Sequence, residues 1–264
     1  MPISILITGA KGILGRRLCE ELRDIADLEI IHFAGDVNNL ADVEANFKHR
    51  NISSVIHLAA IVAVDDVEAS PQKAFSTNVG GTINIMSACV EYGVGHVIYC
   101  SSSHVYAPKD TDIDEESAID PTTTYGLTKL YGENLAREVL AHTNIKLCIA
   151  RVFSLFDVQQ KRPYLYPSLR ERIQQHDFRS QFEVYNGASV RDFSSSAELA
   201  CMFKYLLLYE AEGIFNLGSG LGISVSEFAR KIAYDEFGKS LITVDKGGTD
   251  RVVANISKIS ELMK

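Results

Sequence analysis

Short apolar runs alternate with amphipathic stretches from Ile3 to Val152, and few chain folds satisfy that alternation. Ile3–Thr8 has the residues of a buried strand, and Gly12 to Ala26 sets Ile13, Leu14, Leu18 and Leu22 at helical spacing. The same reading gives strand Leu28–Phe33, then a helix over Leu40–His49 with Val43 and Phe47 four apart. Strand Val55–Leu58, helix Pro71–Tyr92, strand His96–Ser101, helix Thr124–His142 and strand Lys146–Val152 follow. Parallel strands joined by helices need right-handed crossovers, which place helices on both faces of the sheet. The expected fold class is therefore α/β, a doubly wound parallel sheet.

Beyond residue 153 the rhythm breaks. Phe156–Pro167, rich in Gln, Pro, Tyr and basic residues, reads as a loop. The pattern then predicts a helix over Ser168–Gln175, a strand over Phe182–Tyr185, a helix over Ser194–Tyr209 and a strand over Gly213–Leu217. Ser224 and Glu227 form a capping box ahead of a helix reaching Phe237. A chain of 264 residues can bury one large core plus a satellite. The expected division is a main domain over 1–155 and a smaller C-terminal α/β lobe over 156–264, with elements around 186–217 returning to the main core.

The net charge of −8 disfavours non-specific nucleic-acid or membrane binding. No run approaches the roughly 20 apolar residues that cross a bilayer. The most apolar stretch, Cys201–Tyr209, carries Lys204 and reads as a buried helix. No basic segment followed by an apolar run stands at the start, so a cytoplasmic setting is expected. Five cysteines without a C-x-x-C pair read as reduced thiols, and the seven histidines show no ligand spacing, so no metal is expected.

Gly9, Gly12 and Gly15 form G-x-x-G-x-x-G between the first strand and the first helix. Glycine lets the backbone turn tightly and approach a pyrophosphate, with helix N-terminal amides facing the anion. A tight strand-to-helix turn would need the same residues, but its place opening a βαβ series favours dinucleotide binding. The second strand ends without a carboxylate until Asp36, whereas Lys11 and Arg16 are basic. Unless they are solvated surface charges, this balance favours NADP, with NAD possible.

Tyr125 and Lys129 stand at i and i+4, on one face of a helix that Thr122, Thr123 and Thr124 can cap. A phenol titrates near pH 10, and a neighbouring ammonium lowers that by stabilising the phenolate. Such a spacing also occurs as a surface pair. Here Ser101, Ser102 and Ser103 end a parallel strand, at the edge where ligands lie, and supply hydroxyls for a substrate carbonyl.

Together these segments resemble the extended short-chain dehydrogenase/reductase family, the NAD-dependent epimerase/dehydratase branch acting on nucleotide sugars. T-G-A-x-G-x-x-G at Thr8–Gly15, V-I-H-L-A-A at Val55–Ala60, Asn78, S-S-S before Val105-Tyr106, and Y-G-x-T-K at Tyr125–Lys129 stand in family order across nearly the whole chain. The resemblance implies a Rossmann fold and a catalytic set of Ser102, Tyr125 and Lys129. It implies cofactor contacts at Gly9, Lys11, Gly12, Ile13, Leu14, Gly15, Asp36, Val37, Leu58, Ala59, Ala60 and Asn78, besides Tyr125 and Lys129. Ser103 and His104 adjoin the substrate. S-V-R-D-F at Ser189–Phe193 and N-L-G-S-G at Asn216–Gly220 look like family substrate segments, making Arg191 and Arg251 candidate diphosphate contacts; an ion pair with a nearby carboxylate is the other reading of each. A homodimer through helices Pro71–Tyr92 and Thr124–His142 is a family expectation.

Departures narrow the reaction. Ser103 and His104 replace the acidic pair of the sugar dehydratases, and Ser154 stands where many members have Asn. The chain between the second and third strands is short, and the last lobe is small. The expected activity is NADPH-dependent reduction of a nucleotide-linked 4-keto-deoxysugar; the alternatives are an NAD-dependent 4-epimerase and a non-catalytic NAD(P) sensor.

Overall fold

β1 (Ile3–Thr8) is an interior strand of the chain's largest sheet, and its Ile5, Leu6 and Ile7 are wholly buried. The computed structural model describes residues 3–264. The chain continues through α1 (Ile13–Leu22), β2 (Leu28–His32), α2 (Leu40–Phe47) and β3 (Ile52–His57). Then come α3 (Val64–Ala69), α4 (Pro71–Phe75), a π-helical turn (Ser76–Gly80), α5 (Gly81–Glu91) and β4 (His96–Ser102). A 3₁₀ turn (Ser103–Val105), α6 (Thr124–Leu140) and β5 (Lys146–Val152) complete this half. The second half holds β6 (Ser154–Phe156), α7 (Leu165–Gln174), β7 (Phe182–Tyr185), β8 (Val190–Ser195) and α8 (Ser196–Leu208). It ends with β9 (Gly213–Leu217), β10 (Gly222–Ser224), α9 (Val225–Phe237), β11 (Thr243–Lys246), β12 (Arg251–Val252) and α10 (Ser257–Leu262).

The main sheet is parallel throughout, in the order β2-β1-β3-β4-β5-β9. This is the expected doubly wound α/β fold. One face is covered by α1, α8 and α10 around Leu18, Leu22, Leu199, Phe203 and Ile259. The other is covered by α2, α5 and α6 around Phe47, Ile85, Met86 and Tyr99. Burying each such side chain stabilises by roughly 1.5–3 kcal/mol. The chain leaves β1 outward to β2 and returns on β1's other side as β3, so the crevice for a ligand opens at the carboxyl ends of β1 and β3.

A smaller core gathers Tyr166, Leu169, Ile173, Val184, Phe228 and Ile232 under α7, α9, β7 and β11. β8 pairs with β6, β10 and β12 rather than with the main sheet. α8 and β9 do belong to the main layers, β9 lying parallel to β5.

Several element expectations change. The helix read over Pro71–Tyr92 is interrupted by the π-helical turn, which holds Asn78 buried. β3 starts at Ile52 because Ser54 sits in register between Ile5 and His96; serines gave no strand signal. α7 begins at Leu165 and takes Pro167 into its first turn, where a missing N–H costs no helical hydrogen bond. α8 starts at Ser196, since Ser195 still pairs with Phe156 while its side chain and Glu198 form a capping box. Short α3, β6, β8, β10, β11, β12 and α10 had no pattern long enough to read.

Candidate active site

The glycine turn is fixed by contacts that allow no side chain. Gly9 has φ +68°, and a Cβ there would stand 2.8 Å from the Ala59 amide nitrogen. A Cβ on Gly15 would stand 2.3 Å from the Gly9 carbonyl. Gly12 is the N-cap of α1, with no side-chain cap and no acidic residue in the first turn, so its free N–H groups suit an anion. The turn therefore fits a dinucleotide pyrophosphate.

A buried bracket holds the opposite wall. Thr8 Oγ1 accepts from the Ala59 amide at 3.1 Å and lies 2.7 Å from His57 Nδ1; His57 Nε2 lies 3.1 Å from Thr82 Oγ1. Burial, with Lys129 adding to it, pushes the His57 pKa down to about 3, so this imidazole is neutral. Asn78, expected beside the nicotinamide, does not line the cavity. It accepts from the Ile61 amide at 2.7 Å and donates to the Ile61 carbonyl at 2.9 Å and to Thr128 Oγ1 at 3.0 Å. It shapes the wall that Leu58, Ala59 and Ala60 present.

One cavity of about 960 Å³ runs from this turn into the second half of the chain. At one end it is lined by Gly9, Lys11, Gly12, Ile13, Leu14 and Gly15, with Phe33, Asp36 and Val37 beyond. Arg16 does not line it; its guanidinium donates to Gln159 at 3.0 Å and to the Lys11 carbonyl at 3.3 Å. Among the described residues lining the glycine-turn end, Lys11 is the basic one. Asp36 Oδ1 accepts from the Asn38 amide and side chain, both at 2.9 Å.

Ser102, Tyr125 and Lys129 line the middle. Thr123 caps α6 by accepting from the Gly126 amide at 3.0 Å, and Gly126 lies against the 3₁₀ turn, where a Cβ would stand 2.2 Å from the His104 carbonyl oxygen. This seats Tyr125 against that turn, its ring edge-on to His104 with centroids 5.3 Å apart. Burial pushes the Tyr125 phenol well up; Cys100 and Tyr164 add to this, and a hydrogen bond with Ser102 opposes it. Lys129 Nζ donates to the Cys100 carbonyl at 2.8 Å and stands 5.2 Å from the Tyr99 ring centroid. The expected lowering of Tyr125 by Lys129 is therefore corrected: the ammonium is engaged by β4, and burial dominates the phenol. Burial also lowers the Lys129 pKa, with Cys100 and Glu133 drawing it back up.

The far end is aromatic: Phe156, Tyr164, Tyr166, Tyr185, Phe193 and Phe228 line it, with Phe193 and Phe228 stacked at 3.9 Å. Ser103, His104 and Arg191 face the same space. Burial lowers the His104 pKa and Arg191 lowers it further, so this histidine is neutral at neutral pH. Arg191 is also paired with Asp250, Nη2 to Oδ2 at 2.6 Å. Arg251 does not line the cavity; it pairs with Asp112. Asp192 binds the Ser219 and Gly220 amides at 2.7 and 2.9 Å, which is why R-D-F and G-S-G occur together. Ser154, which stands where many family members have Asn, lines the cavity; sequence reasoning missed Cys100, Tyr164 and Tyr185 as lining residues. The aromatic content of Phe156–Pro167 was the one signal for Tyr164. Among the described residues no His/Cys/Asp/Glu cluster suits a metal, and no helix is long and apolar enough to cross a membrane.

Comparison with known proteins shows the family. The sequence profile of the NAD dependent epimerase/dehydratase family matches residues 5–218. UDP-glucose 4-epimerase of Bacillus subtilis is 26% identical, over 86% of this chain and 80% of that protein. UDP-glucose 4-epimerase 3 of Oryza sativa subsp. japonica is 30% identical over 77% of this chain, which spans 60% of that relative. The solved structure of MoeE5 in complex with UDP-glucuronic acid and NAD superposes with TM-score 0.82 at 26% identity, covering 98% of this chain and 92% of that one.

Proposed function

The chain belongs to the NAD dependent epimerase/dehydratase family, and from that premise we propose that it is a nucleotide-sugar 4-epimerase that retains NAD. The observation that carries this reading is the single cavity joining the glycine turn, the Ser102–Tyr125–Lys129 set and an aromatic pocket with Arg191. The similarity to UDP-glucose 4-epimerases supports it. In this reading residues 1–155 hold the cofactor and 156–264 form the substrate lobe, with α8 and β9 completing the main sheet.

The glycine turn and the α1 N-terminus would hold the pyrophosphate, and Asp36 and Val37 the adenine. When bound, the dinucleotide supplies a hydride acceptor and donor, and a positive ring that favours the phenolate. Tyr125 takes the proton of the sugar 4-hydroxyl as that carbon is oxidised, and Ser102 hydrogen-bonds the resulting carbonyl. Lys129, held at the Cys100 carbonyl, places a fixed positive charge in the same cavity. After the sugar presents its other face, Tyr125 returns the proton. Arg191 leaves Asp250 for the diphosphate, and the Phe193–Phe228 stack flanks the apolar faces.

Reduction of a 4-keto sugar by NADPH is the second reading, favoured by two observations. Phe33, with no carboxylate, follows β2, and Lys11 lines the same cavity, which suits a 2′-phosphate, and burial keeps Tyr125 protonated, which suits donation to a carbonyl. Incubation with UDP-glucose and a trace of NAD, followed by NMR of the sugar and absorbance of the nicotinamide, separates the two. The epimerase reading expects the 4-epimer at equilibrium with no net reduced cofactor. Inertness towards UDP-sugars, with stoichiometric NADPH oxidation by 4-keto sugars, would replace it with the reductase.

A further inference from the structure

Successive turns of α6 place Tyr125, Lys129 and Glu133 on the face that meets β4. Glu133 has no task in the reaction, yet its side chain is 2% exposed and that of its partner Arg151 is 3%. Glu133 Oε1 accepts from Ser101 Oγ at 2.5 Å and from Arg151 Nε at 2.9 Å; Oε2 accepts from Arg151 Nη2 at 2.7 Å. Arg151 Nη1 donates to the Tyr106 hydroxyl at 2.8 Å, which donates to Asn216 at 2.8 Å. Taking two such charges out of water costs several kcal/mol each, and an apolar pair could fill the same space. Stability alone therefore does not account for them.

Their position gives another reason. Ser101 lies between Cys100, whose carbonyl accepts from Lys129, and Ser102. The carboxylate thus ties α6 to the carboxyl ends of β4 and β5 at the depth where the ammonium meets its acceptor. We propose that Glu133 is a positioning residue for the catalytic pair, which, pinned by Arg151 and Ser101, seats Lys129 at the Cys100 carbonyl as a charged ammonium. The inference rests on the roles given above to Tyr125 and Lys129. Around the ammonium, β4 presents the Tyr99 ring and Cys100, β3 the neutral His57, and α6 Tyr125 and Glu133, with Arg151 of β5 behind Glu133. Asp65 of α3 and His104 of the 3₁₀ turn line the same cavity, while the π-helical turn and α5 contribute the uncharged Asn78 and Thr82.

The test is the pH dependence of kcat/KM for the NAD-loaded full chain. Glu133→Gln leaves Arg151 uncompensated beside the ammonium, so the alkaline limb moves to lower pH by about one unit. Arg151→Gln removes the buried partner of the carboxylate and leaves it only the half-exposed Arg137 guanidinium at 3.9 Å, and the limb moves up. The double variant Glu133→Gln/Arg151→Gln restores charge balance and returns the limb to its wild-type place. A wild-type limb in either folded single variant, or a double variant that stays shifted, overturns the proposal. Ser101→Ala keeps the ion pair and covers the case in which the single variants do not fold. It is expected to lower kcat about fivefold with KM unchanged, and an unaltered kcat overturns the proposal. If Tyr125→Phe retains turnover, the catalytic assignment itself has failed; if only the Glu133, Arg151 and Ser101 variants behave as wild type, this inference alone has.

Discussion

His57 shows how one side chain supports a site it never enters. Its two ring nitrogens join Thr8 to Thr82 beneath the cavity wall, and burial holds its pKa near 3, below the ordinary value of 6.5. The unfolded chain therefore takes up a proton as pH falls below about 6.5, while the folded protein does not until about pH 3, so stability is present above 6.5 and lost on acidification. Between about pH 7.5 and pH 5 this group should remove about 2 kcal/mol. His57→Gln should flatten that slope in urea denaturation, even if it lowers stability at both pH values. Equal slopes in the two proteins would show that His57 is protonated in the fold. The histidine was legible in V-I-H-L-A-A as part of a motif, but its role was not, because Thr8 and Thr82 are far from it in sequence. Arg191 and Arg251 make the same point: a sequence shows two arginines near suitable segments, and only folding shows that Asp250 and Asp112 meet them.

At the scale of elements, long amphipathic helices and apolar parallel strands announced themselves, and short or polar ones did not. β4 and α6 bring Ser102, Tyr125 and Lys129 together as their motifs implied. The π-helical turn was invisible, because the extra residue is set by Asn78 reaching Ile61 and Thr128 rather than by local propensity. β10, β11 and β12 depend on partners distant in sequence, which a local pattern cannot register. The seat of α6 on the 3₁₀ turn can be tested at Gly126, where a methyl group would meet the His104 carbonyl oxygen at 2.2 Å. Gly126→Ala must displace either the helix start or the turn. It should cost about 1–3 kcal/mol in stability and lower kcat by about 10²-fold, since Tyr125 moves with the helix. A variant with wild-type kcat would show that the seat does not place the phenol.

Across the whole molecule, the second half of the chain serves two cores. α8 and β9 complete the main sheet, while β8 and the segment before α7 wall the far end of the cavity. This explains why the glycine-turn end was readable in detail and the aromatic end was not. The first is centred on one strand–turn–helix unit, with the segments after β2 and β3 beside it, and the second is built by side chains from β6, α7, β7, β8 and α9. In the proposed reaction this shared cavity works through the Tyr125 phenol, the group that moves the proton. The most direct measurement compares turnover of the nucleotide sugar and affinity for the dinucleotide in wild type and Tyr125→Phe. The expected result is a loss in kcat of about 10²–10⁴-fold with cofactor affinity within twofold. A variant that turns over at the wild-type rate would contradict it.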